Sequence, residues 1–132
     1  MKRLFVDTSA WYAFVNASDP DHRPVARLLA SPRGRLVTSS YVFDEVVTLC
    51  RVRLSHPAAV RVGRVLLEAR GLDLVRVSPE DEREAWRLFQ ARADQRYSFT
   101  DCTSFSLMRR LGVETAVALD DDFRHEGFET LP

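Results

Sequence analysis

Lysine is almost missing from this chain: of 19 basic residues only Lys2 is a lysine, and it precedes the first strand-like run. That argues against a phospho-accepting or phosphatase α/β domain, which keeps a lysine beside the phosphate, and Asp7-Thr8-Ser9 also lacks the second Asp of the DxD phosphatase pattern. Cysteine is confined to Cys50 and Cys102, with no CxxC spacing, and His22, His56 and His125 are scattered. Neither a disulfide framework nor a zinc site can be built from that stock, so both thiols are expected to be buried and free. Charge of one sign is not in excess either. The formal net charge is zero, so no global field draws the protein to nucleic acid or to an anionic membrane, and any electrostatic preference is local. No apolar run approaches the roughly 18 to 20 residues that span a bilayer, and no charged leader with an apolar core precedes Arg3, so a cytoplasmic protein without a membrane partner is expected. Internal repeats, low-complexity tracts and Gly- or Ser-rich linkers are also lacking, which leaves one domain over residues 1–132.

What is present is a globular composition, 45% hydrophobic and 29% charged, in a chain long enough to bury one core. Arg3 to Val6 reads as a buried strand, followed at once by Asp7-Thr8-Ser9 and a helical apolar run to Val15. Asp19-Pro20 reads as the cap and first residue of a second helix, stopped at Ser31-Pro32-Arg33-Gly34. Leu36 to Thr38 is a strand; Ser39 or Ser40 caps a helix from Tyr41 to about Leu54, and Pro57 opens another that runs to Gly71. Leu72 to Val77 alternates as a strand, Ser78-Pro79-Glu80-Asp81 caps a helix, and Thr100 caps one that ends at Leu111-Gly112. Thr115 to Leu119 is a buried strand, with an edge strand within Gly127 to Leu131. Strands separated by helices predict βαβ crossovers, a central mainly parallel sheet and a three-layer α/β/α sandwich. In such sheets ligands gather at the carboxyl ends of the strands.

Four acids converge on that rim in this reading. Asp7 directly follows the first strand, and Asp120 follows the apolar core of the strand at Thr115. At about 100° per residue, Val42, Val46, Leu49 and Cys50 define an apolar helix face; Glu45 lies on its edge while Asp44 points away. The same arithmetic aligns Asp101 with Phe105 and Met108. Asp101 alone is equally well a helix cap, but four anions pushed into one crevice resist desolvation unless protons, arginines or metal ions neutralise them. Oxygen donors without His or Cys favour Mg²⁺ or Mn²⁺, ions that assist phosphodiester hydrolysis. Of the tail acids Asp120 is preferred as a ligand, Asp122 is second, and Asp121 reads as a turn residue. Thr8, Ser9, Ser98 and Thr100 flank the acids as supporting hydroxyls, though helix capping accounts for Ser9 and Thr100 about as well.

The motifs Val6-Asp7-Thr8-Ser9-Ala10, helical Glu45 after a Ser-Tyr turn, Ser98-Phe99-Thr100-Asp101-Cys102, and Asp120-x-Asp122-Phe123 with Gly127-Phe128, in this order, resemble the PIN domain. They are closest to the VapC-type toxin ribonucleases of toxin-antitoxin pairs. The resemblance spans essentially the whole chain. It implies a Mg²⁺- or Mn²⁺-dependent endoribonuclease with Asp7, Asp101 and Asp120 as metal ligands and Glu45 completing the acidic quartet. It also implies a homodimer and a cognate antitoxin whose tail covers the groove. RNA phosphates then need cations, for which Arg51, Arg53, Arg61 and Arg64 are the candidates. Among aromatics near the acids, Trp11 and Tyr12 could line the crevice and stack on a base but, following a buried strand, read more readily as core, so Tyr97 is the better stacking candidate. The alternative is a PIN-like scaffold that binds RNA or protein without cleaving; the presence of all four acids argues against it.

Overall fold

The computed structural model describes residues 2–132. Five strands form one sheet: β1 (Arg3–Val6), β2 (Arg35–Ser39), β3 (Leu72–Val75), β4 (Thr115–Val117) and β5 (Glu129–Leu131), in the spatial order β3-β2-β1-β4-β5. Every pairing is parallel, with Phe5 opposite Val37 on one side and Ala116 on the other. The helices are α1 (Thr8–Val15), α2 (His22–Ala30), α3 (Ser40–Arg53), α4 (His56–Glu68), α5 (Pro79–Ala91), α6 (Phe99–Leu111) and α7 (Asp122–His125). From β1 the chain steps outward through β2 to β3, then returns across the sheet to β4 on the other side. Right-handed crossovers therefore place α1 to α4 on one face and α5 to α7 on the other, and the packing of α1 on α2, α3 and α4 and of α5 on α6 agrees. The expected three-layer sandwich is present, its sheet wholly rather than mainly parallel.

Leu4, Phe5 and Val6 are fully buried, as a central strand covered on both faces requires. Trp11, Val46 and Cys50 pack over one face, Phe105, Met108 and Phe123 over the other, and both thiols are free and buried. Among the described residues no helix is long and apolar enough to cross a membrane.

Several boundaries differ from the sequence reading. α2 begins at His22 rather than Pro20, because Asp19 closes a turn: its carbonyl accepts the His22 N–H at 3.0 Å and its carboxylate the Asp21 N–H at 2.8 Å. α4 ends at Glu68, and Gly71, at φ 80°, turns the chain into β3. β3 stops at Val75 because the Val77 N–H turns to the Ser40 hydroxyl at 3.0 Å. β4 ends at Val117. α6 is capped by Ser98 and not by Thr100. The Ser98 hydroxyl accepts the Asp101 N–H at 3.0 Å while the Asp101 carboxylate accepts the Ser98 N–H at 2.9 Å. Thr100 lies inside the helix, where its carbonyl accepts the Thr103 hydroxyl.

Candidate active site

The crossovers diverge between β1 and β4, and the carboxyl ends of these two strands open a crevice at that switch point. The Asp7 N–H continues the ladder by donating to Val117 O at 3.0 Å, which sets Asp7 beside the segment leading to Asp120. Asp7 then caps α1. Its Oδ2 accepts from the Ser9 hydroxyl at 2.9 Å and, more weakly, from the Ser9 N–H at 3.4 Å. The same Ser9 hydroxyl accepts the Leu119 N–H at 3.2 Å, tying the start of α1 to the loop after β4.

A cleft of about 500 Å³ gathers Asp7, Glu45, Asp101 and Asp120. Thr8, Ser9 and Ser98 also line it, whereas Thr100 and Asp122 do not. Asp122 opens α7 and donates its N–H to Asp120 Oδ1 at 3.1 Å. Asp44 is exposed and Glu45 half-buried, in keeping with the helical arithmetic. Asp19 also lines the cleft. The sequence reading misses it because Asp19-Pro20 reads as a helix cap, and nothing in the sequence separates that role from a place in the cleft wall.

Three of these carboxylates share a pattern. Each has one oxygen held by the protein, Asp7 Oδ2 by Ser9, Asp101 Oδ2 by the Ser98 N–H and Asp120 Oδ1 by the Asp122 N–H. Among the described residues the other oxygen of each has no hydrogen-bond partner, and Asp7 Oδ1 is moreover fully buried. Buried acceptors without partners are costly, so such an atom calls for an explanation.

Protonation follows the same division. Burial, then the charges of Asp101 and Asp120, push the Asp7 carboxyl up to about 7. Burial, only partly offset by the Ser98 N–H, together with Asp120, Asp122 and Glu45, pushes Asp101 up to about 6. Burial and Asp120 raise Asp122. Buried acids elsewhere behave oppositely. Burial also acts on Asp81 and Glu126, yet both are held below the usual carboxylate range, Asp81 by Arg110 and Ser78, Glu126 by Arg92, Arg109 and Tyr97. The fold pairs these two structural acids with arginine, whereas among the described residues no cleft acid has an ion pair.

The acids line the cleft without closing on a point: among the described residues no three His, Cys, Asp or Glu side chains form a ready metal cluster. Mutual repulsion of unneutralised carboxylates favours that spread. The donor chemistry nevertheless fits a hard divalent cation, since all donors are oxygen and the free oxygens of Asp7, Asp101 and Asp120 are not engaged elsewhere.

A model of the PIN domain matches residues 4–129. The chain belongs to the PIN domain family. Among PIN proteins, the 23S rRNA-specific endonuclease VapC20 of Mycobacterium tuberculosis is 38% identical over 125 residues, 95% of each chain. The crystal structure of VapC20, a sarcin-ricin loop cleaving toxin, matches at a TM-score of 0.91, covering 98% of this chain and 99% of that one. Ribonuclease VapC26 of the same species is 30% identical over 117 residues, 89% of this chain and 86% of its own. VapBC2 of Rickettsia felis, solved with a DNA fragment from its promoter, matches at a TM-score of 0.70 over 97% of this chain and 96% of that one. At 14% identity that likeness shows the fold alone.

This PIN domain re-sorts the residues expected to meet RNA. Of the four arginines, only Arg53 lines the acidic cleft; Arg61 and Arg64 line a separate hollow with His56 and Val60, and Arg51 is exposed but lines neither. Tyr97 is 6% exposed, its hydroxyl donating to Glu126 at 3.0 Å and its ring packed edge-on against Phe105, so no base can stack on it. Trp11 is core as expected, its indole N–H donating to the Thr38 hydroxyl at 3.2 Å. Tyr12 is the aromatic residue that lines the cleft.

Proposed function

We propose that this protein is an endoribonuclease that needs Mg²⁺ or Mn²⁺, and that it is the toxin of a type II toxin-antitoxin pair. The observation that carries the reading is the set of cleft carboxylates with one oxygen fixed and one free, none of them ion-paired among the described residues, with Asp7 and Asp101 raised in pKa by burial. Its relatives VapC20 and VapC26, which are named as an endonuclease and a ribonuclease, support it.

Asp7, Asp101 and Asp120 would hold the ion, with Glu45 completing the set directly or through water and Asp122 adding negative field. Bound there, a divalent ion supplies positive charge to the scissile phosphodiester and makes a nearby water more acidic. The chain's own share is positioning. Ser9 bridges Asp7 to the loop that carries Asp120, the Ser98 N–H holds one Asp101 oxygen and leaves the other free, and Thr8 adds a buried hydroxyl without a partner among the described residues. The expected products carry a 5′-phosphate and a 3′-hydroxyl.

VapC20, a 23S rRNA-specific endonuclease, makes 23S rRNA the first substrate to try. Purified protein incubated with ribosomal RNA should degrade it with Mn²⁺ and not with EDTA; equal degradation in both tubes sinks the metal mechanism. A cognate antitoxin and a homodimer, implied by the sequence resemblance, are proposed as partners. Co-expression with the gene immediately upstream, followed by size-exclusion chromatography with light scattering, tests both.

A further inference from the structure

We infer that Tyr12, Leu49 and Arg53 form a nucleotide subsite beside the acids: a base stacks on the Tyr12 ring against Leu49, and Arg53 pairs with a phosphate neighbouring the scissile one. The inference rests on the ribonuclease reading above and adds to it where the substrate lies.

On α3, Glu45, Leu49 and Arg53 are spaced four residues apart, so they form one row along a single helix face, and all three line the cleft. At 1.5 Å per residue Arg53 stands about 12 Å along the axis from Glu45, too far to serve the phosphate held at the acids and suited to an adjacent one. The facing wall is α1, where Tyr12 follows Thr8 by one turn and lines the same cleft.

The tyrosines differ in what they are already doing. The Tyr41 hydroxyl is bonded to Glu82 and the Tyr97 hydroxyl to Glu126. Among the described residues the Tyr12 hydroxyl has no hydrogen-bond partner, and its ring makes no aromatic pair. Half-buried and packed against the core, it shares the cleft wall with Leu49, so the ring is already restrained and stacking costs it little side-chain entropy.

Arg53 is distinguished by where it stands. Arg35, Arg83, Arg87, Arg92, Arg109, Arg110 and Arg124 are paired with carboxylates, and of the arginines outside such pairs Arg53 is the one in the cleft wall. Arg53, the single basic residue lining an otherwise acidic cleft, has no such pair among the described residues. A polyanion entering the cleft meets repulsion from Asp19 and the four acids, and Arg53 is where that repulsion is relieved. A phosphate therefore runs along the α3 wall, away from Asp19, whose carboxylate is tied to the Asp21 N–H.

The test is binding of a short fluorescein-labelled single-stranded RNA by anisotropy, with cleavage kinetics in Mn²⁺ alongside. Tyr12→Leu, which keeps apolar volume but removes the ring face, should weaken binding and raise KM roughly tenfold, while Tyr12→Phe stays within about twofold of the parent. Arg53→Gln should weaken binding and reduce the slope of log K against log salt by about 0.7. Arg70→Gln, at the opposite rim of the sheet, should leave the slope unchanged. Calorimetric Mn²⁺ titration of Tyr12→Leu and Arg53→Gln should match the parent, since the acids are untouched. Parental binding by Tyr12→Leu, or equal salt slopes for Arg53→Gln and Arg70→Gln, overturns the subsite while leaving the ribonuclease reading standing. A parent that does not cut RNA overturns both.

Discussion

The Ser9 hydroxyl donates to Asp7 Oδ2 at 2.9 Å while accepting the Leu119 N–H at 3.2 Å, so one side chain fixes both the buried acid and the loop that carries Asp120. Ser9→Ala should therefore cost activity out of proportion to stability. We expect cleavage to fall about 10- to 100-fold, as for other residues that orient metal-binding carboxylates, with about 1 kcal/mol lost from unfolding. Initial rates and urea denaturation measure the two; an unchanged rate would assign Ser9 to capping alone.

Asp101 has two roles that substitutions can separate. Asn keeps an oxygen able to accept the Ser98 N–H, whereas Ala removes the capping box as well as the charge. Asp101→Asn should abolish cleavage while leaving the melting temperature of chelator-treated protein at or above the parent's, because like-charge repulsion is relieved. Asp101→Ala should be about 1 kcal/mol less stable than Asp101→Asn.

Stability without divalent ions should rise as the solution is acidified from pH 7.5 to pH 5. Asp7 and Asp101 have folded-state values raised to about 7 and about 6 from the model value of 3.8. A raised carboxyl stabilises the fold fully below its unfolded value and loses that contribution as pH rises through the folded one. Asp81 and Glu126 are lowered, so their contribution is lost only as pH falls, outside this window. Thermal melts in EDTA should gain roughly 5 °C at pH 5, and Asp7→Asn should flatten the trend. A parental trend in Asp7→Asn removes Asp7 from the explanation.

Glu126 provides the contrast. Its side chain, 3% exposed, is clasped by Arg92 and Arg109 and by the Tyr97 hydroxyl. Glu126→Ala removes the partner of two partly exposed guanidinium groups and of the buried Tyr97 hydroxyl and should destabilise the protein by about 2 kcal/mol, with Mn²⁺ affinity at the level of the parent. A matching loss of Mn²⁺ binding would join Glu126 to the cleft.

How far the sequence carried the fold depended on whether a local signal was enough. The strand at Arg3 to Val6, the parallel sandwich and the choice of Glu45 over Asp44 needed only hydrophobic periodicity, which tertiary packing reinforced. The start of α6 offered two hydroxyls, Ser98 and Thr100. Ser98 takes the cap because Asp101 stands three residues on and returns its bond. Tyr97 looked available because nothing near it in sequence announces Glu126, a partner supplied by the return of the chain after α7. Trp11 and Tyr12 each admit two readings in the sequence, core or crevice wall, and only the placement of α3 against α1 separates them.

β4 is the penultimate strand in sequence but lies second from the edge in space, filling the slot between β1 and β5. During biosynthesis, a ribosome that has released only the first hundred or so residues has delivered Asp7 and Glu45 but neither Asp120 nor the strand that sets it beside Asp7. The cleft cannot be completed until the chain has crossed back from β3 to β4. Termination or proteolysis ahead of Asp120 thus yields fragments without a complete acidic site.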